Sequence, residues 1–209
     1  AQIESFLKRM ADGPGAIVIS GESGSGKTAL LATVADLASA SGVAVLSARP
    51  AASERDHAYA ALADLFRSVF PGLAAELPQP LADALGTALL LRPAGTEIEP
   101  RKTGMATTAL LEALVSQRPL LLAIDDAGWL DADSERALAF AVRRLPAAVT
   151  IAAGLRDAEG SNAPLGLARA VRPDRLLRIA ASPLSSADTH HLVRRAAPEV
   201  AASRAAALR

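Results

Sequence analysis

The residues Gly21-Glu22-Ser23-Gly24-Ser25-Gly26-Lys27-Thr28 match the G-x-x-x-x-G-K-[ST] pattern in full. Each residue type there answers a need of phosphate binding. Glycine lets the backbone approach a phosphate with no Cβ in the way. The loop amides, together with the start of the next helix at Ala29, aim N–H donors and a positive helix end at an anion. Lys27 reaches the β- and γ-phosphates of a nucleotide, and the Thr28 hydroxyl is suited to Mg²⁺. The plain alternative is a flexible Gly/Ser turn with a chance lysine. Against it stand the complete pattern and its flanks, Ala16–Ser20 as a short buried strand and Ala29–Ala35 as a helix. Lys27 is also one of only three lysines, with Lys8 and Lys102, in a chain whose other cations are arginines.

A second constellation lies at Asp125-Asp126. It ends the apolar run Leu120-Leu121-Leu122-Ala123-Ile124, which follows Pro119 and is too short for a helix. Apolar residues closed by an acid form the Walker B pattern, which sets a carboxylate at a strand's C-terminal end to hold Mg²⁺. Asp125 takes that role, and Asp126 is placed to polarise an attacking water. Two acids in a turn are as good a reading of this segment alone, and the upstream phosphate loop tips the balance toward metal. Arg156 follows the apolar run 147–153 and Gly154-Leu155. Beyond a strand's C-terminal end it faces either a γ-phosphate or solvent, and the residue chemistry leaves both open.

These residues need a scaffold of alternating strands and helices. Strands are expected at 16–20, 43–47, 119–124, 147–153 and 176–179. Helices are expected at 2–12, from the loop to about Ser39, at 57–69, 81–91 and 102–117, from Asp131, at 165–171 and at 186–196. Pro71–Pro80 and Arg92–Pro100 read as loops, as does 157–164. Asp131 and Ser185 read as helix N-caps. Trp129, the sole tryptophan, is expected to pack between its loop and the core. His190 and His191 read as surface or packing residues. From Pro198 a helical, alanine-rich pattern breaks off at Arg209, as in a piece of a longer chain.

The 209 residues carry no cysteine and only three histidines, His57, His190 and His191, which excludes disulfides, thiolate metal sites and a zinc site of usual spacing. Zero net charge argues against nucleic-acid binding by these residues. No signal pattern and no run of membrane-spanning length is present, so a cytoplasmic location is expected.

Gly-Glu-Ser-Gly-Ser-Gly-Lys-Thr-Ala-Leu-Leu at 21–31, Leu-Leu-Leu-Ala-Ile-Asp-Asp-Ala-Gly-Trp-Leu-Asp at 120–131, Ser-Pro-Leu-Ser at 182–185 and the stretch from Glu54 to Leu62 together resemble the ATPase module of large bacterial LuxR-type transcriptional regulators. Those proteins are signal-transduction ATPases with numerous domains (STAND), relatives of the AAA+ class. The resemblance spans about residues 16–196. It implies an α/β P-loop NTPase fold of three αβα layers, with a five-stranded parallel sheet in the order 5-1-4-3-2. It also implies ATP or ADP with Mg²⁺, and a nucleotide-controlled switch between assemblies. Residues 1–182 are then the ATPase domain, with a helical insertion over about 57–117, and 183–209 begin a C-terminal helical region. Arg156 matches an arginine these proteins carry after the fourth strand. Expected partners are further domains of the same protein and other copies of it, with DNA bound only through a helix-turn-helix outside this chain and no membrane. Two departures stand out. Gly128 replaces a usual glutamine or histidine, and a Gly-Arg-Glu segment before the first helix is missing. The rivals are a non-catalytic module holding ADP and a P-loop kinase of a small molecule.

Overall fold

The computed structural model describes residues 2–92, 98–156 and 163–182. Its elements in chain order are α1 (Gln2–Lys8), β1 (Gly15–Ser20), α2 (Lys27–Ala40), β2 (Ala44–Ala48), α3 (Ala60–Phe66), α4 (Phe70–Leu73), α5 (Gln79–Ala88), α6 (Pro100–Gln117), β3 (Leu120–Ile124), α7 (Ala132–Val142), β4 (Val149–Leu155), α8 (Leu167–Ala170) and β5 (Leu176–Ala180). The strands form one sheet in the order β2-β3-β4-β1-β5, and every pairing is parallel. This is the expected order, read from the other edge.

Parallel strands covered on both faces are apolar along nearly their whole length; β3 obeys this throughout, and β1 and β4 depart from it only at Ser20 and Thr150. Along β1 the side chains alternate between two cores. Ala16 and Val18 join Leu62, Phe66, Leu85, Leu110, Leu111 and Leu138 from α3, α5, α6 and α7. Ile17 and Ile19 join Phe6 and Leu7 of α1, Leu31 and Val34 of α2, and Met10. The result is three layers, with α1 and α2 on one face and the larger helical group on the other.

Several boundaries differ from expectation. The helix expected over 2–12 stops at Lys8 and continues as a 3₁₀ turn, Met10–Asp12. The fourth strand starts at Val149, two residues late, because Ala148 takes a left-handed backbone (φ 67°). The segment expected as a Pro/Gly-rich loop holds α4 and a 3₁₀ turn, Ala74–Glu76. The third helix starts at Ala60 rather than 57, and the cause lies 72 residues away. Tyr59 is left-handed (φ 62°), and its amide and that of Ala61 donate to the Asp131 carboxylate at 2.8 and 3.1 Å. The Asp131 carboxylate also accepts from Ser134 N at 2.8 Å, as an N-cap should, and the Ser134 hydroxyl accepts from Leu62 N at 2.9 Å. One buried carboxylate therefore caps two helices at once. The expected loops over 93–97 and 157–162, the helix at 186–196 with its Ser185 cap, His190 and His191, and the stretch from Pro198 lie outside the described residues.

At the other end of the sheet, Arg175 is buried just before β5. Its Nη2 donates to the Gly13 carbonyl at 3.0 Å, and its guanidinium lies 5.0 Å from the Phe6 ring centre. Burial lowers its pKa from arginine's ordinary value. The contact fastens the α1 region to the strand edge, so α1 is a packed flap.

Asp131→Ala strands three buried amides, and a loss of about 3 kcal/mol or more is expected in urea unfolding; Asp131→Asn, which keeps an acceptor, is expected to lose less. Burial raises the Tyr59 phenol above its ordinary value, against the opposing hydrogen bond from Thr103. The folded state then holds this proton more tightly than the unfolded one. Its contribution is complete below about pH 10 and is lost as pH rises through the folded-state value. Tyr59→Phe is expected to flatten the alkaline limb of the stability curve, followed by circular dichroism.

Candidate functional site

The phosphate loop leaves β1 at Ser20 and enters α2 at Lys27. Gly24 and Gly26 are left-handed (φ 80° and 90°), a conformation that disfavours any Cβ. Gly21 is required for a different reason: a Cβ there would stand 2.4 Å from the Ala181 carbonyl and 2.6 Å from the Ser25 hydroxyl. Gly26, the N-cap of α2, supplies no side-chain acceptor, so the first amides of that helix remain available to an anion. Lys27 is buried, and its ammonium donates to the carbonyls of Gly21 and Glu22, 2.8 Å each. The Ser25 hydroxyl is buried without a partner.

The expected acid pair comes to the same place. Asp125 follows β3 directly, and its amide donates to the Ala48 carbonyl at 3.0 Å. Its carboxylate is buried and accepts the Thr28 hydroxyl on Oδ2 at 2.8 Å. Its Oδ1 is buried with no hydrogen-bond partner. A buried carboxylate oxygen with nothing to bind, beside a hydroxyl on the phosphate loop, fits the oxygen chemistry Mg²⁺ requires. Among the described residues no cluster of three or more His, Cys, Asp or Glu could close around a metal. Gly154 of β4 makes room for this carboxylate, since a Cβ there would stand 3.3 Å from Asp125 Oδ1.

Asp126 departs from the strand in a left-handed conformation (φ 53°, ψ 57°), which turns its carboxylate away from that of Asp125. Arg156 sits immediately beyond β4, with Nη2 3.6 Å from Asp126 Oδ2. A cavity of about 530 Å³ opens between the two halves, with Ser23, Gly24, Lys27 and Thr28 on one side and Asp126 and Arg156 on the other. Gly21, Glu22 and Ser25 do not line it; Gly21 and Ser25 are buried, and Glu22 is exposed.

Two residues escaped the sequence reading. Arg49, one residue past β2, has its Nε 3.6 Å from Asp125 Oδ2, and its place beyond a strand's C-terminal end was the available signal. Arg55 lies with its guanidinium 5.8 Å from the Trp129 ring centre, and no local pattern marks it. Trp129, expected to pack between its loop and the core, is half-buried, and Arg156 stands 5.4 Å from its ring centre. The 3₁₀ turn Ala127–Trp129, closed by Trp129 N donating to the Asp126 carbonyl at 2.9 Å, holds the indole beside Arg156, which lines the cavity.

A strand–loop–helix phosphate cradle facing two strand-end acids in a five-stranded parallel sheet defines a P-loop nucleotide-binding α/β domain. The family profile described as "AAA ATPase domain" matches residues 1–152, and the chain belongs to that family. Among solved structures, it is similar to the ORC2 protein of Aeropyrum pernix in its ADPNP–ADP complexes, with a TM-score of 0.53 and 17% identity over 94% of this chain and 50% of that one. The ORC1 protein of the same organism in complex with DNA is a weaker likeness, with a TM-score of 0.48 and 18% identity over 94% of this chain and 49% of that one. The chain thus spans about half the length of both, and at these identities the likeness bears on fold alone. Among curated proteins there is no significant match. No described helix is long and apolar enough to cross a membrane.

The two kinds of glycine can be told apart. Gly21→Ala meets backbone, whereas Gly24→Ala meets no atom within 4 Å and carries only the left-handed strain, about 1–2 kcal/mol. Calorimetry is expected to show the larger fall in melting temperature for Gly21→Ala.

Proposed function

We propose that this chain is an ATP-binding and slowly hydrolysing switch domain of a STAND-type, LuxR-like transcriptional regulator. The observation that carries the reading is the pairing of the Thr28 hydroxyl with Asp125, whose second oxygen has no partner, where Thr28 also lines the cavity that Asp126 and Arg156 border. Support for an adenine nucleotide comes from the AAA ATPase family and from the nucleotides named for the ORC2 relative.

In this reading the loop amides and Lys27 bind the phosphates, Lys27 exchanging its two carbonyl contacts for phosphate oxygens. Thr28 and Asp125 would hold Mg²⁺, which when bound neutralises charge on the β- and γ-phosphates. Asp126 accepts a hydrogen bond from the attacking water and orients it. The water oxygen bonds to the γ-phosphorus as the bond to the β–γ bridging oxygen breaks, and the water's proton ends on phosphate. Arg156 stabilises charge on the γ-phosphoryl oxygens. Nucleotide state then biases the arrangement of further domains and copies, and hydrolysis resets it. Residues 1–182 form the ATPase domain, and DNA contact belongs to a helix-turn-helix outside this chain.

One observation favours the rival of a non-catalytic ADP-holding module. Arg156 stands 3.6 Å from Asp126 and would partly neutralise the residue needed to orient water. Phosphate release decides between them. Lys27→Ala is expected to weaken nucleotide binding by at least tenfold in calorimetric titration. Asp126→Asn is expected to keep ATP while phosphate release falls by about 10²-fold or more. Unchanged release in Asp126→Asn would remove Asp126 from the mechanism, and no release from the unsubstituted chain would favour the ADP module.

A further inference from the structure

We infer that Trp129 is the positioning residue for Arg156: its indole face holds the guanidinium at the cavity edge in every nucleotide state, and exchange there of the Asp126 contact for a γ-phosphate is what separates ATP from ADP. The inference rests on the γ-phosphate role proposed for Arg156.

The Arg156 side chain is 48% exposed, so without contacts it would sample many rotamers. Two contacts restrict it, the indole at 5.4 Å and the Asp126 carboxylate at 3.6 Å. Both come from one short turn, in which Trp129 N donates to the Asp126 carbonyl. That turn begins directly after Asp125, so the arginine's two supports are fixed to the residue that pairs with Thr28. Each support is weak at an exposed site. A phosphate oxygen offers a charge-assisted hydrogen bond of greater strength. The arginine is thus kept ordered and close by the indole, yet free to exchange Asp126 for a γ-phosphate that enters.

A second guanidinium shares the indole. Arg55 approaches it to 5.8 Å from the connector between β2 and α3. Arg55 does not line the cavity, so the phosphate-facing role falls to Arg156.

The test compares Mg·ATPγS and Mg·ADP affinities by calorimetry on the full chain. Trp129→Ala is expected to lower the preference for ATPγS over ADP by about three- to fivefold, the size of an exposed cation–π contact. Trp129→Phe, which keeps an aromatic face, is expected to recover most of it. In an Arg156→Ala background, Trp129→Ala is expected to change the ratio no further. The tryptophan emission of the unsubstituted chain is expected to change with ATPγS and not with ADP. Equal weakening of both nucleotides by Trp129→Ala, or a ratio that still falls in the Arg156→Ala background, would overturn the inference, as would emission indifferent to ATPγS. If Arg156→Ala alone leaves the ratio unchanged, the γ-phosphate role of Arg156 fails and the inference falls with it. A ratio that falls with Arg156→Ala but not with Trp129→Ala defeats the indole's part alone.

Discussion

Parallel pairing of β3, β4 and β1 delivers Ile124, Leu155 and Ser20 to one edge of the sheet, and the site can exist only because of that delivery. All three strands run the same way, so the loops that leave them gather on one side. In open sheets of this kind ligands bind outside the carboxyl ends of the strands. Register makes the gathering exact enough for chemistry. Ser20 pairs with Leu155, and Ile124 with Ala153, so the phosphate loop, the acid pair and Arg156 leave the sheet within two residues of one level. The Thr28–Asp125 hydrogen bond then closes a separation of 97 residues with no adjustment of either backbone beyond its own turn.

The two ends of the sheet are built on different terms. Where the strands begin, a buried arginine, an aromatic ring and a glycine carbonyl bind the α1 flap to β5, and the contact serves packing. Where they end, Asp125 Oδ1, the Ser25 hydroxyl and the first amides of α2 are left short of partners; near the strand starts Arg175 Nε and Nη1 and the Thr150 hydroxyl are too. A fold can carry such deficits only at a few places. Those at the strand ends lie in the region in which left-handed glycines, a left-handed aspartate and three arginines also meet.

What was legible in the sequence was what is local. The phosphate loop occupies consecutive residues, and Asp125 ends an unbroken apolar run, so both could be placed without a structure. The strand order came from likeness to a family rather than from any pattern in the residues. Boundaries failed where composition is uniform: Ala147-Ala148 looks like strand and is turned aside by one positive φ. The start of α3 failed because its cap is contributed by Asp131, and no local pattern links positions 72 residues apart. At Trp129 the packing was legible but its partners were not, because the two arginines beside its ring are distant in sequence.

The shared cap at Asp131 has a consequence for how the molecule opens. The first turns of α3 and α7 cannot loosen separately, since releasing either leaves a buried charge with unsatisfied donors around it. The amides of Tyr59, Ala61, Leu62 and Ser134, contributed by two segments far apart in the chain, therefore form a single cooperative unit in hydrogen exchange. Slow breathing of the helical face would then proceed as one step spanning both helices, and the connector carrying Arg55 would be released from its anchored end only in that step.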